Sequence, residues 1–228
     1  MIKGGGLNKG DVILACAMLE DEIALAMKKT GCRLPVIWLE RGLHEWPDLL
    51  REELRRRIGQ LSAADTILLT YSLCGGALLG LGSSNSRLVL PCFHDCIQMC
   101  CSLAEQQPGP ADPRSFYFTR GWLRGEHSTA RSFQRACKKY GRKKARALYR
   151  EIFKNYRSLV LLDTGAYPPE ESLAGVRRLG KTFGLAVGEC PGSTRILEKL
   201  FSGRWDQEFC IIPPGAQVRQ EAFLYGGV

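Results

Sequence analysis

The chain of 228 residues has no apolar run approaching the roughly 20 residues that a helix needs to cross a bilayer. Its first ten residues hold no hydrophobic stretch of the kind that opens a secretion signal, so the expectation is a cytoplasmic protein without membrane contact. Ten cysteines fall well below the density of a disulfide-stapled scaffold. In a reducing compartment such thiols serve as core residues, metal ligands or redox groups. No Gly-Lys-Ser/Thr follows the glycine-rich turn at 72–76, and no dinucleotide fingerprint is present, which argues against nucleotide binding. No cysteine spacing matches a ferredoxin. What remains is a chain 45% hydrophobic, long enough to bury a full core.

Apolar runs and amphipathic stretches alternate along it. Residues 1–10 read as a flexible lead and 11–228 as one α/β domain. Strands are predicted at Asp11–Cys16, Pro35–Leu39, Asp65–Tyr71, Arg87–Leu90, Ser158–Asp163, Leu185–Gly188 and Phe209–Ile212. Helices are predicted over 18–29, 47–60, from Asp95, 169–183 and 193–202. Continuous apolar strands between amphipathic helices predict a parallel-rich sheet with helices on both faces. An insertion at about 104–157 breaks the alternation: a loop with Pro108, Pro110 and Pro113, an aromatic patch (Phe116, Tyr117, Phe118, Trp122), then basic helices.

The net charge of +9 sits almost wholly in that insertion. Residues 131–157 hold eleven Lys or Arg against one acid, Glu151, a net of +10, leaving the rest of the chain at −1. A solvated amphipathic face is the plainest reading; docking of an acidic partner or an anionic cofactor tail is the second. Nucleic acid comes third, because no recognised nucleic-acid module accompanies the charge. Ala145, Leu148, Tyr149, Ile152, Phe153 and Tyr156 form the apolar stripe of these helices.

The chemistry gathers where strands end. Cys16, Cys74, Cys96 and Cys190 each follow a predicted strand, and His94 lies two residues before Cys96. In open α/β sheets ligands bind beyond the carboxyl ends of the strands, and soft thiolates with an imidazole suit zinc or an iron–sulfur cluster. A single cysteine is more often a small buried hydrophobe; four at one sheet edge predict a metal site. The expected ligands are Cys16, Cys74, Cys96 and Cys190, with His94 as substitute. Three ligands would leave an open catalytic position, four a closed site or a cluster. Asp95 is read as the cap of the following helix rather than as a partner orienting His94. Cys100 and Cys101 are read as packing residues, and Cys32, Cys137 and Cys210 as space-filling ones. Gly75 and Gly76 would let a cofactor approach the backbone, and Glu20, Tyr71 and Asp163 are acid–base candidates.

The order His94-Asp-Cys96 with Cys190 far downstream is similar to the zinc motif of thiol-alkylating methyltransferases, where zinc holds a substrate thiol as its thiolate. Taken together, Ala15-Cys-Ala-Met-Leu-Glu20, Trp38-Leu-Glu-Arg-Gly-Leu-His44, Leu68-Leu-Thr-Tyr-Ser-Leu-Cys-Gly75, His94-Asp-Cys-Ile97, Gly121-Trp122 and Gly203-Arg-Trp-Asp206 resemble an uncharacterised prokaryotic family carrying only a domain-of-unknown-function label. The resemblance runs over roughly residues 11–215. It departs at Ser72, where the family has Gly after the tyrosine, and Cys92, Cys100 and Cys101 are peculiar to this chain. Members are often encoded near corrinoid-dependent methyltransferases of anaerobes, which implies a role in one-carbon metabolism. The expectation is a zinc protein carrying out a methyl-transfer or thiol-activating step, meeting a corrinoid through a corrinoid-protein or methyltransferase partner. An iron–sulfur protein serving such a partner, or a non-enzymatic docking or chaperone module using the basic helix, are the alternatives.

Overall fold

The computed structural model describes residues 7–105 and 112–226. The lead read over residues 1–10 therefore lies mostly outside the described residues, as do Pro108 and Pro110.

The apolar runs become strands, as expected, but they divide between two sheets. The first contains β1 (Val12–Cys16), β2 (Val36–Leu39), β3 (Thr66–Leu69), β4 (Arg87–Pro91) and β8 (Phe209–Ile212), in the order β2-β1-β3-β4-β8. All its pairings are parallel except β4 with β8, which sets Leu90 opposite Cys210. The second holds β5 (Ser115–Phe118), β6 (Ser158–Asp163) and β7 (Ala186–Pro191), all parallel. The mixed α/β class and the parallel bias are as predicted.

Burial on both faces explains the unbroken apolar runs of β1 and β3. Leu14 and Leu69 point into one layer with Leu50, Leu54 and Ile58 of α2 (Pro47–Gln60). Their neighbours Ile13 and Leu68 point the other way, onto Ile23 and Ala26 of α1 (Glu20–Thr30) and Ile196 and Leu200 of α8 (Arg195–Phe201). Gly31 ends α1 in the left-handed conformation, as expected of a helix stop. The Gly203-Arg-Trp-Asp206 segment fastens α8 to β8. Trp205 donates from Nε1 to the Leu200 carbonyl at 2.9 Å, and Asp206 pairs with Lys199, which also meets Glu208 at 2.6 Å.

The second sheet rests on aromatic packing. Phe118, Tyr149, Phe153 and Phe183 fill the space between β6 and the helices α6 (Arg142–Ile152) and α7 (Pro169–Phe183). Phe183 stacks on both Tyr149 and Phe153, at 5.2 and 5.3 Å. Two readings of the insertion need correction. Ser115–Phe118, taken as loop, is a strand paired with β6; four residues, three of them aromatic in a row, are too few to show a period. The apolar stripe of the basic helices is only partly used: Ala145, Tyr149 and Phe153 are buried, whereas Leu148 and Ile152 are 45% and 55% exposed. The stripe is wider than the surface the sheet offers it.

The sheets are joined by close backbone approach and by charge. Gly121, in the short helix α4 (Arg120–Leu123), sits directly on the Met18 carbonyl, where any Cβ would overlap it. Beside it, Arg120 donates from Nε to Asp21 at 2.8 Å and lies over the Tyr167 ring at 4.9 Å.

Candidate functional site

Three of the four strand-end cysteines come together. Cys16 closes β1, Cys74 follows β3 on a turn, and Cys96 opens α3 (Cys96–Cys100) after β4. Because β1, β3 and β4 are adjacent and parallel, their carboxyl ends share one edge. The backbone then brings the loops into register: Leu73 donates to the Phe93 carbonyl at 2.9 Å and Cys74 to the His94 carbonyl at 3.0 Å. The three thiols lie within electrostatic range of one another and of Tyr71, whose hydroxyl donates to the Ala15 carbonyl at 3.4 Å. Thr70 Oγ1 accepts the Cys16 amide at 2.9 Å and pins that end of β1.

Burial sets the chemistry of the group. Desolvation pushes the Cys16 thiol up to about 11 and that of Cys74 to about 12, and raises Cys96 well above its ordinary value. Neighbouring thiols add to the rise in Cys74 and Cys96. Tyr71 is raised too, chiefly by its own burial. At neutral pH all four groups are protonated.

Cys74 is held in an uncommon backbone state. Its φ of 46° is the single left-handed value at a non-glycine position among the described residues, and Gly75 and Gly76 follow at 67° and 89°. The glycines meet that requirement without a Cβ; a cysteine meets it under strain. Arg51 donates to the Gly76 carbonyl at 2.9 Å and steadies the turn from α2.

Cys74 and Cys96 open on a cleft of about 360 Å³ between the two sheets, and Cys16 lies buried in the core behind them. One wall is Cys74, Gly75, Asp95, Cys96 and Ile97; the other is Pro113, Ser115, Phe116, Tyr117, Trp122 and Tyr156. The aromatic wall was the feature missed in the sequence. Its signal was the cluster Phe116, Tyr117 and Trp122 just after Pro113, whose side chains line the site from β5 and α4.

The remaining candidates fall elsewhere. Cys190 lies within β7, opposite Leu162, and its thiol is in range of Cys101. His94 is exposed, and Asp95 accepts the Gln98 amide at 2.7 Å as the cap of α3. Glu20 is exposed and paired with Arg41, and Asp163 accepts the Gly165 amide at 3.0 Å within its own turn. Cys210, read as space-filling, forms a disulfide with Cys92, their Cα atoms 5.8 Å apart, because antiparallel β8 brings Cys210 alongside the end of β4. Cys32 and Cys137 stay free and half-buried.

A carboxyl not singled out from the sequence is the most buried one. Glu22 of α1 is fully enclosed, and Thr164 donates to its Oε1 at 3.1 Å. Burial raises it to about 7. It is within range of Cys100 and Tyr167, at the seam between the sheets and away from the three thiols.

Among the described residues no helix is long and apolar enough to cross a membrane. Also among them, no three His, Cys, Asp or Glu side chains already stand at the spacing that holds a metal ion. No curated protein and no solved structure matches the chain. One family model does, over residues 38–201, a span that holds Cys74, Cys96 and Cys190 and begins after Cys16. The chain belongs to that family, described as protein of unknown function (DUF1638).

Proposed function

We propose that the cleft is a thiol-based metal site and that its reaction is a methyl-transfer or thiol-activating step. The observation that carries this is the gathering of Cys16, Cys74 and Cys96 from three parallel strand ends, with Cys74 and Cys96 lining one cleft and Cys16 buried behind them. As the thiols stand they are protonated and not drawn onto a common point, so they would turn inward as the ion enters and their protons leave. The donor set suits zinc: three soft ligands leave the fourth position toward the cleft. Zinc there would supply a Lewis acid that holds a substrate thiol as its thiolate. Tyr71, buried within electrostatic range of Cys16, Cys74 and Cys96, stands where a proton could be passed from the departing thiols. Cys190 is outside this set, and exposed His94 is the reserve donor. The association with corrinoid-dependent methyltransferases, implied by the family resemblance, would make the partner a corrinoid protein or a methyltransferase of one-carbon metabolism.

The test is metal analysis of protein purified without oxygen, beside Cys96→Ser. About one zinc per chain, lost in the variant, is the expected result. Iron with sulfide and a brown colour would replace zinc by a cluster held on the same three cysteines. No metal in either sample would sink the reading.

A second reading has its own observation. Lys138, Lys139, Arg142, Lys143, Lys144, Arg146, Arg150 and Arg157 have no acidic partner among the described residues, and exposed Leu148 and Ile152 lie among them. A cationic surface with an apolar centre suits docking to an acidic protein. Exchanging Lys138, Lys139, Lys143 and Lys144 for Gln would then abolish partner capture and leave metal content unchanged. Capture that survives the exchange at moderate salt would rule this out.

A further inference from the structure

We infer that the cleft takes a small organic cation, with its positive group held between aromatic rings and the Asp95 carboxylate. The inference rests on the reading of this cleft as the functional site, and adds the class of molecule that enters it.

Three observations point to that charge. Four aromatic side chains, Phe116, Tyr117, Trp122 and Tyr156, line one wall. They are not stacked in parallel. Phe116 meets Trp122 at 86° and Tyr156 at 90°, with centroids 6.1 and 5.3 Å away, so the rings stand as perpendicular panels. An aromatic ring is negative on its face, and panels at right angles offer a cation more than one such surface. Second, the one carboxylate in the lining, Asp95, lies on the opposite wall. One of its oxygens is engaged by the Gln98 amide, which fixes the carboxylate's position at the head of α3. Third, no lysine or arginine is among the described residues that line the cleft, although the protein carries 32 of them. The positive charge of the chain is concentrated in residues 131–157, and the cleft lining holds one carboxylate and four aromatic rings with no cation.

These features discriminate between ligand classes. A phosphate or carboxylate ligand would find no cation to pair with and a carboxylate to repel it. A neutral apolar ligand would gain from the rings and gain nothing from Asp95. An alkylated ammonium gains from both, and its soft, weakly hydrated charge loses little on leaving water. The volume of about 360 Å³ admits a group of that size beside the thiols. Ionised thiolates on the near wall would strengthen the preference.

Choline and its uncharged isostere 3,3-dimethylbutan-1-ol differ chiefly in the charge, and serve as the probe pair. Saturation-transfer NMR and tryptophan fluorescence would be followed on the full chain, before and after chelation, with metal content measured on the same samples. Choline is expected to bind at least tenfold tighter than the isostere. Tyr156→Leu should remove most of that margin. Asp95→Asn should cut it several-fold while keeping the fold, because asparagine caps a helix as well as aspartate does. Equal binding of the two probes, or no binding of either, overturns the inference. A zinc-loaded protein without preference for choline would end this inference and leave the metal reading intact. A metal-free protein that prefers choline would support this inference and end the metal reading.

Discussion

The two sheets divide the chemistry between them. The five-stranded sheet presents thiols and one tyrosine at its carboxyl edge, on a scaffold of aliphatic side chains packed on both faces. The three-stranded sheet presents rings, is packed by rings, and carries the basic helices on its outer side. Reactive sulfur without the second sheet would face water. The aromatic wall without the first would have no reactive group. The cleft exists only where they meet, so the sites of strongest functional interest depend on the joint between the sheets rather than on either core.

The comparison is broken most forcefully by opening each core in turn. Phe118→Ala in the second sheet should cost about 4 kcal/mol and Leu68→Ala in the first about 3 kcal/mol, as buried truncations do. Urea titration followed by both tryptophan fluorescence and circular dichroism should show one shared transition in each variant. Two separate transitions would mean that the sheets are stable independently and that the joint is weak.

Next in size is the contrast between cysteines. Cys96→Ser should lower zinc affinity by about a hundredfold, roughly 2.7 kcal/mol, and Cys190→Ser should leave it unchanged. Competition with a chromophoric chelator would read both. Equal losses would return Cys190 to the ligand set. Because the thiols are protonated until metal arrives, affinity should climb as pH rises from 6 toward 9.

The seam itself is sharpened by Glu22. Its carboxyl is raised from 4.5 to about 7 in the folded protein, so the stability of its neutral form is complete below pH 4.5 and is lost as pH rises through 7. Glutamine cannot ionise. Glu22→Gln should match the parent at pH 4.5 and exceed it by about 3 kcal/mol at pH 8, measured by denaturant melts. A constant difference across that range would show that the carboxyl does not titrate there.

Smallest is the outer face. Replacing Lys138, Lys139, Lys143 and Lys144 by Gln should change stability by less than about 0.5 kcal/mol, since these side chains are exposed and have no acidic partner among the described residues, Lys139 meeting only the exposed Tyr140 ring. A larger loss of melting temperature would mean that the basic helices are braced by contacts beyond their buried stripe.

Much of this was legible in the residues. Continuous apolar runs gave the strands, and Gly31 and Pro47 placed helix boundaries where the structure has them. The meeting of Cys16, Cys74 and Cys96 followed from strand order of a parallel sheet. Pairing was the part not legible: Ser158–Asp163 reads as a strand whichever sheet it joins, so Cys190 looked like a fourth member of the edge although it belongs to β7. Glu22 was hidden in the run Glu20, Asp21, Glu22, where three acids in a first helical turn look like ordinary complements to the helix dipole. Only the closure of the second sheet over α1 buries the third of them.

The left-handed turn at Cys74 has an implication for how the chain tolerates change. Glycine would relax that backbone and gain about 1 kcal/mol, and asparagine would sit there with less strain than most residues. Selection for stability alone would therefore drift away from cysteine at this position. A homologue that keeps a thiol there has been held to it by what the thiol does, whereas one with glycine has exchanged that role for a more comfortable fold. Position 74 thus separates, within a single residue, the demands of folding from those of chemistry.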